Sequence, residues 1–306
     1  MSFNSRFVVR HSFMLCSLLL GLTTLSSGCG SSQQSEIPSP TQRTGIVSMA
    51  PHLTETIFAL GLGNRLTAVG SFDDYPPEIE KLPRVGGYMD PDLEKISMLA
   101  PELIILPGRH EKVTSYARLY EIPVLNIHMD SLETILEGIR TLGDALSCEE
   151  AAESLITEME NDMAALAAQV AEYPRRKTLI ITARQPGSLN TLYTTGGTSF
   201  VSEIAALAGA ENIHEEVSQA YFTASKETVV MRAPEVILEF RAGEELSDSD
   251  IERLKSDWEQ MPTLPAVREG RIYIITESHA LRPGPRIVDI ARIIAEKIHP
   301  DIGEQQ

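Results

Sequence analysis

Six histidines follow residue 28, at positions 52, 110, 128, 214, 279 and 299, and they are the side chains best suited to holding a metal or moving a proton near neutral pH. None stands at the short spacing that lets one helix or turn supply two ligands. His214-Glu215-Glu216 begins like a zinc-protease helix but lacks the second histidine, and reads as a solvated loop. Gly61-Leu62-Gly63-Asn64-Arg65-Leu66 begins like a dinucleotide-binding turn, yet the third glycine is missing and a helix pattern precedes it. It reads as a helix stop. There is no nucleophile elbow and no phosphate-binding loop, and spacing marks no two of the 43 acids as an acid/base couple. The expectation is a protein that is not an enzyme and has no resident cofactor or metal; an exported hydrolase or chelatase on a two-lobed fold is the rival reading from another class. A metal cluster assembled by the fold from distant residues stays open.

The elements that would position such residues follow an α/β grammar. Candidate strands at 45–49, 66–70, 102–106 and 123–127 alternate with candidate helices at 54–60, 92–99, 112–120 and 132–146. Alternation of this kind favours a parallel sheet. The pattern restarts with strands at 177–182, 235–240 and 271–275, a helix at 199–207 and a closing helix at 285–298. Between the halves, Ser147 and Glu150 are spaced as a capping box. Ala152, Leu155, Ile156, Met159, Met163, Leu166, Ala167 and Val170 then form a helical stripe ending before Pro174. A helix over 148–173 would be roughly 39 Å long at the standard rise, enough to join two lobes as a rod.

An internal repeat supports two lobes. Residues 93–105 align with 226–238 at a constant offset, and Glu94, Met98, Ala100, Pro101 and Glu102 coincide with Glu227, Met231, Ala233, Pro234 and Glu235. Each copy reads as a short helix, a turn at Ala-Pro and a buried strand, because proline disfavours helical geometry at the residue before it. The expected architecture is α/β: two Rossmann-like lobes at 44–146 and 174–306, a connector helix at 147–173, and a ligand cleft between the lobes.

The N-terminus reads as a targeting segment. Arg6, Arg10 and His11 precede a short apolar run over 13–22, too short to span a bilayer but suited to a signal-peptide core. Leu25-Ser26-Ser27-Gly28-Cys29 resembles a bacterial lipobox, with Ser26 where an aliphatic residue is usual. Residues 1–28 read as a cleaved signal peptide, Cys29 as the lipidation site, and 29–43 as a Ser/Gln/Pro-rich tether. Cys148 would be the one remaining thiol, so no internal disulfide is expected. Loss of residues 1–28 removes two arginines and no acid, taking the net charge from −17 to −19. So acidic a surface repels nucleic acid, and a nucleic-acid function is excluded.

Several ordered segments carry a family resemblance. They are Ile46-Val47-Ser48-Met49-Ala50-Pro51-His52-Leu53-Thr54-Glu55, Asp74-Tyr75-Pro76, Pro83-Arg84-Val85-Gly86-Gly87-Tyr88, Pro91 to Ile96, Ala100 to Ile104 and Arg282-Pro283-Gly284-Pro285-Arg286-Ile287. Together they span most of the chain after the tether, which resembles the class III periplasmic binding proteins of ATP-binding-cassette importers, nearest the cobalamin-binding group. The resemblance implies an exported, lipid-anchored monomer that captures a small molecule and delivers it to a permease dimer. It implies ligand contacts at Phe72, Tyr88, Tyr221 and Arg282, although Tyr88 and Tyr221 stand where cobalamin binders have tryptophan. The lone Trp258 lies outside these positions. Cobalamin is the first ligand implied. Haem stays open because tyrosine ligates haem iron. A ferric siderophore stays open too, because Arg84, Arg184 or Arg241 could meet an anionic chelate. The resemblance further implies that Glu94 and Glu227 dock onto arginines of the permease dimer.

Overall fold

The computed structural model describes residues 43–305. The expectations for the signal peptide, for Cys29 and for the tether up to residue 42 lie outside the described residues.

Strands β1 (Ile46–Ser48), β2 (Leu66–Ala68), β3 (Leu103–Leu106) and β4 (Val124–Asn126) form a parallel sheet in the order β2-β1-β3-β4. The central β1 is buried along its whole length, as a parallel strand covered on both faces must be. Helices α1 (Pro51–Ala59), α2 (Leu93–Leu99) and α3 (Glu111–Leu119) supply the crossovers, and α4 (Leu132–Leu146) follows β4. Helix α1 starts with Pro51 in its first turn and is closed by Gly61 at φ 75°, so the Gly-Leu-Gly segment is the helix stop that its sequence suggests.

Helix α5 (Glu149–Val170) follows at once. The expected capping box at its start is not formed: Ser147 closes α4 in the left-handed region at φ 58°, and Cys148 takes the N-cap without a side-chain bond. One residue cannot both end a helix in left-handed geometry and open the next with the extended geometry that capping needs. The six buried residues of α5 recur at alternating steps of three and four. That stripe packs on α4, on α6 (Phe200–Leu207) and on α10 (Ile287–Ile298). One continuous core therefore runs from Ile46 through Ile156 and Met163 to Ile294.

The second half is built on β5 (Arg176–Ala183), β6 (Leu192–Thr195), β7 (Ala210–Asn212), β8 (Tyr221–Ala224), β9 (Val236–Phe240) and β10 (Ile272–Ile275). Their order is β10-β9-β5-β6-β8, with β7 also beside β5. This sheet is mixed: β5, β7, β9 and β10 run parallel, while β6 runs antiparallel to both β5 and β8. Helices α7 (Lys226–Arg232), α8 (Asp248–Ser256) and the single turn α9 (Pro265–Arg268) complete the fold.

The repeat is structural. Ala100 and Ala233 close α2 and α7 in the left-handed region at φ 45° and 49°. Glu102 then donates its amide to Gly45 O at 2.9 Å, and Glu235 donates its amide to Lys177 O at 2.7 Å, each joining its strand to the neighbouring one.

Candidate functional site

Three loops and one helix meet where the two halves touch. Glu55, on α1 and nearly fully buried, accepts from Arg286 Nε at 2.8 Å and Nη2 at 2.6 Å, and from Arg282 Nη1 at 3.3 Å. Arg282 also donates to both carboxylate oxygens of Asp74 and, at 3.3 Å, to Phe72 O. The Arg286 guanidinium lies 4.1 Å from the Tyr75 ring centre, a cation–π distance. Gly284 packs so closely on His52 that a side chain there would press against it. Two arginines from the second half are thus matched by two acids from the first. Burial, and next Arg282, lower His52 to about 4, while burial raises Asp73 to about 6.

The sequence-derived ligand residues fall partly together. Phe72 is 72% exposed, its ring edge lies against Gly87, and its carbonyl accepts from Arg282. Tyr88, next to Gly87, donates its hydroxyl to Arg109 O at 2.7 Å and meets the His110 ring edge-on at 4.9 Å. Phe72, Tyr88 and Arg282 therefore form one neighbourhood. Tyr221 stands apart from them on β8, 49% exposed, with burial and Asp130 pushing its phenol up to about 12. Asp130 lies on the same contact between halves, since its carbonyl accepts from the Phe200 amide at 2.9 Å. Arg282 is not a free cation, because its partners leave no formal positive charge over for an anionic ligand.

Sequence reasoning missed several of these groups. Nothing local in the sequence marks Glu55 and Arg286 as a pair, because they lie 231 residues apart. Tyr193 sits opposite Thr223 in the β6–β8 register, which puts it on the same sheet face as Tyr221. The signal for it was a Tyr-Thr-Thr run too short to separate from a loop. The arginines considered for a chelate serve the fold. Arg184 is wholly buried on Glu239 and Asp257, Arg241 pairs with Glu239, and Arg84 donates to Gly70 O and Asp73 O. Trp258 joins that cluster by donating to Glu239 at 3.0 Å. His214, expected in a solvated loop, is buried edge-on against Phe222.

The two repeat-start acids occupy matched settings. Asp92 caps α2 by accepting from the Lys95 amide at 3.0 Å, and Ser225 caps α7 by accepting from the Thr228 amide at 3.1 Å. Glu94 and Glu227 lie exposed in the first turns that follow, where a carboxylate also suits the helix dipole. Ile96 and Val229, equivalent in the repeat, are fully buried and fix both helices in one orientation. Among the described residues, no group of three or more His, Cys, Asp or Glu is placed to hold a metal, and no helix is long and apolar enough to cross a membrane.

A family described as periplasmic binding protein matches residues 46–278. The vitamin B12-binding protein of Pectobacterium atrosepticum is 26% identical over 83% of this chain and 88% of its own length. A Bacillus subtilis protein described as an uncharacterized ABC transporter substrate-binding lipoprotein is 27% identical over 84% of this chain and 80% of its own. The solved structure of a periplasmic haem-binding protein of Vibrio cholerae superposes with a TM-score of 0.71 at 26% identity, covering 84% of this chain and 99% of that one. The chain belongs to the periplasmic binding protein family, whose members bind solutes and are not enzymes.

Proposed function

From membership of the periplasmic binding protein family, we propose that this protein captures cobalamin or a related corrinoid and hands it to the permease dimer of an ATP-binding-cassette importer. The observation that carries this reading is the aromatic surface left in water where the halves meet. Phe72 and Tyr88 are exposed or half-exposed around a charge-neutralised Arg282, with Tyr221 half-exposed apart from them on β8, and flat amphipathic ligands need such platforms with few polar anchors. A vitamin B12-binding relative adds support. In this reading residues 44–146 and 174–306 are the lobes and 147–173 the connector. The chain is exported as a monomer, Cys29 carries the lipid anchor, and Glu94 and Glu227 engage the permease. The mass of the mature N-terminus tests the anchor; an unmodified Cys29 would remove it.

Haem is the second reading, favoured by one observation. Tyr88 and His110, both residue types that ligate haem iron, meet edge to ring on the same rim. Visible-absorption titrations with cyanocobalamin and with haemin separate the two. Tight cobalamin binding is expected, and Tyr88→Ala and Tyr221→Ala should each weaken it by roughly 1–3 kcal/mol, the range for a buried anchor. A new haem band that Tyr88→Phe abolishes would transfer the assignment to haem. Unchanged affinity in both alanine variants would place the ligand elsewhere.

A further inference from the structure

Two of the most exposed apolar side chains in the described residues are Met98 and Met231, at 74% and 76%, and they are equivalent in the repeat. Each lies four residues after its acid, so Glu94 with Met98, and Glu227 with Met231, share one helix face. Single exposed apolar residues are ordinary on protein surfaces. Recurrence at one position in both halves is not, because neighbouring positions have diverged: Lys95, Ser97 and Leu99 align with Thr228, Val230 and Arg232. The equivalent Ile96 and Val229 are both fully buried, so the two methionines are turned outward in the same sense.

We propose that Met98 and Met231 are the apolar centres of two matched docking patches, and that their occupant is the two-fold permease dimer, each subunit presenting a shallow apolar hollow beside its arginines. The proposal rests on the docking reading of Glu94 and Glu227. Charge alone would select these helix tips poorly, since the chain carries 43 acids against 26 lysines and arginines. Direct apolar contact adds what a screened ion pair cannot: a term that persists at high salt and is confined to two points. Methionine suits the position for a further reason. A chain with approximate internal symmetry must fit a partner with true two-fold symmetry, and a flexible, polarisable side chain absorbs the mismatch.

The test measures binding of the ligand-loaded protein to its permease in nanodiscs across a range of sodium chloride concentrations. Met98→Gln with Met231→Gln should weaken docking by roughly tenfold or more at every salt concentration, and leucine at both positions should restore it. Glu94→Gln with Glu227→Gln should weaken docking chiefly at low salt. Ligand affinity and melting temperature should stay unchanged in all variants. If the glutamate variant weakens docking and the glutamine-for-methionine variant does not, the methionine proposal fails and the acid reading stands. If neither weakens docking, the helix tips are not the contact and both fail. Loss of ligand affinity in the methionine variant would put α2 and α7 at the ligand site and overturn the proposal as well.

Discussion

Asp73 is buried with neither carboxylate oxygen hydrogen-bonded, because the adjacent Thr54 hydroxyl donates to Ser48 Oγ at 2.8 Å instead. Burial raises it to about 6, against the opposing pull of the nearby Thr54 hydroxyl, then of Arg84 and Arg282, and with a smaller push from Glu55. Between about 4 and 6 the folded chain thus holds a proton that the unfolded chain has released, and this group's contribution to stability is lost as pH rises through that window. His52 acts in the reverse sense. Its folded value is about 4, so between 6.5 and 4 the unfolded chain binds a proton that the folded chain refuses, and its contribution is lost as pH falls. The two slopes oppose each other over the shared window. Asp73→Asn removes the Asp73 slope, and wild-type stability relative to the variant should fall by up to about 3 kcal/mol from pH 4 to pH 6. Denaturant unfolding of both proteins at pH 4, 5, 6 and 7 checks this; parallel profiles would refute it. Arg282 was legible as a position worth watching only through the resemblance. Its state was not, since Glu55 and Asp74 lie more than 200 residues away in sequence.

Helix α2 and strand β3, and their counterparts α7 and β9, were legible because three local signals agree: an apolar stripe, Ala-Pro punctuation and an unbroken apolar strand. The strands β6, β7 and β8 were not. They are three or four residues long and polar in part; β6 and β7 are held by register against β5 and β8 by register against β6, so their stabilising partners are invisible locally. The Ala-Pro punctuation has a cost that can be measured. An alanine in the left-handed region carries a Cβ clash that glycine lacks. Ala100→Gly and Ala233→Gly should therefore each stabilise the protein by about 0.5–1 kcal/mol after the extra unfolded-state entropy of glycine is counted. The two sites close helices in different halves of the chain, so the effects should add in the double variant. Thermal unfolding of the singles and the double decides; destabilisation in either single would mean that the left-handed turn is not populated in solution.

Across the whole molecule, α5 does more than span a gap. Its buried stripe is continuous with apolar side chains of both halves, while Glu55 ties α1 to two arginines flanking α10. Swinging the lobes apart would expose the apolar packing and strip Arg282 and Arg286 of buried partners. It would also require α5 to bend, which costs backbone hydrogen bonds that a loop hinge would not lose. Ligand capture should accordingly proceed with little closure. Small-angle scattering with and without cyanocobalamin should differ in radius of gyration by no more than about 1 Å, the scale of preorganised recognition. Glu55→Ala provides the contrast, because it leaves both guanidiniums short of an acceptor. That variant should lose roughly 3–5 kcal/mol of stability if the lobes stay shut, or show a ligand-dependent radius of gyration if they open. A wild type that contracts by several ångströms on binding would show that the halves move as separate bodies, and that the contact through Glu55 forms only after the ligand arrives.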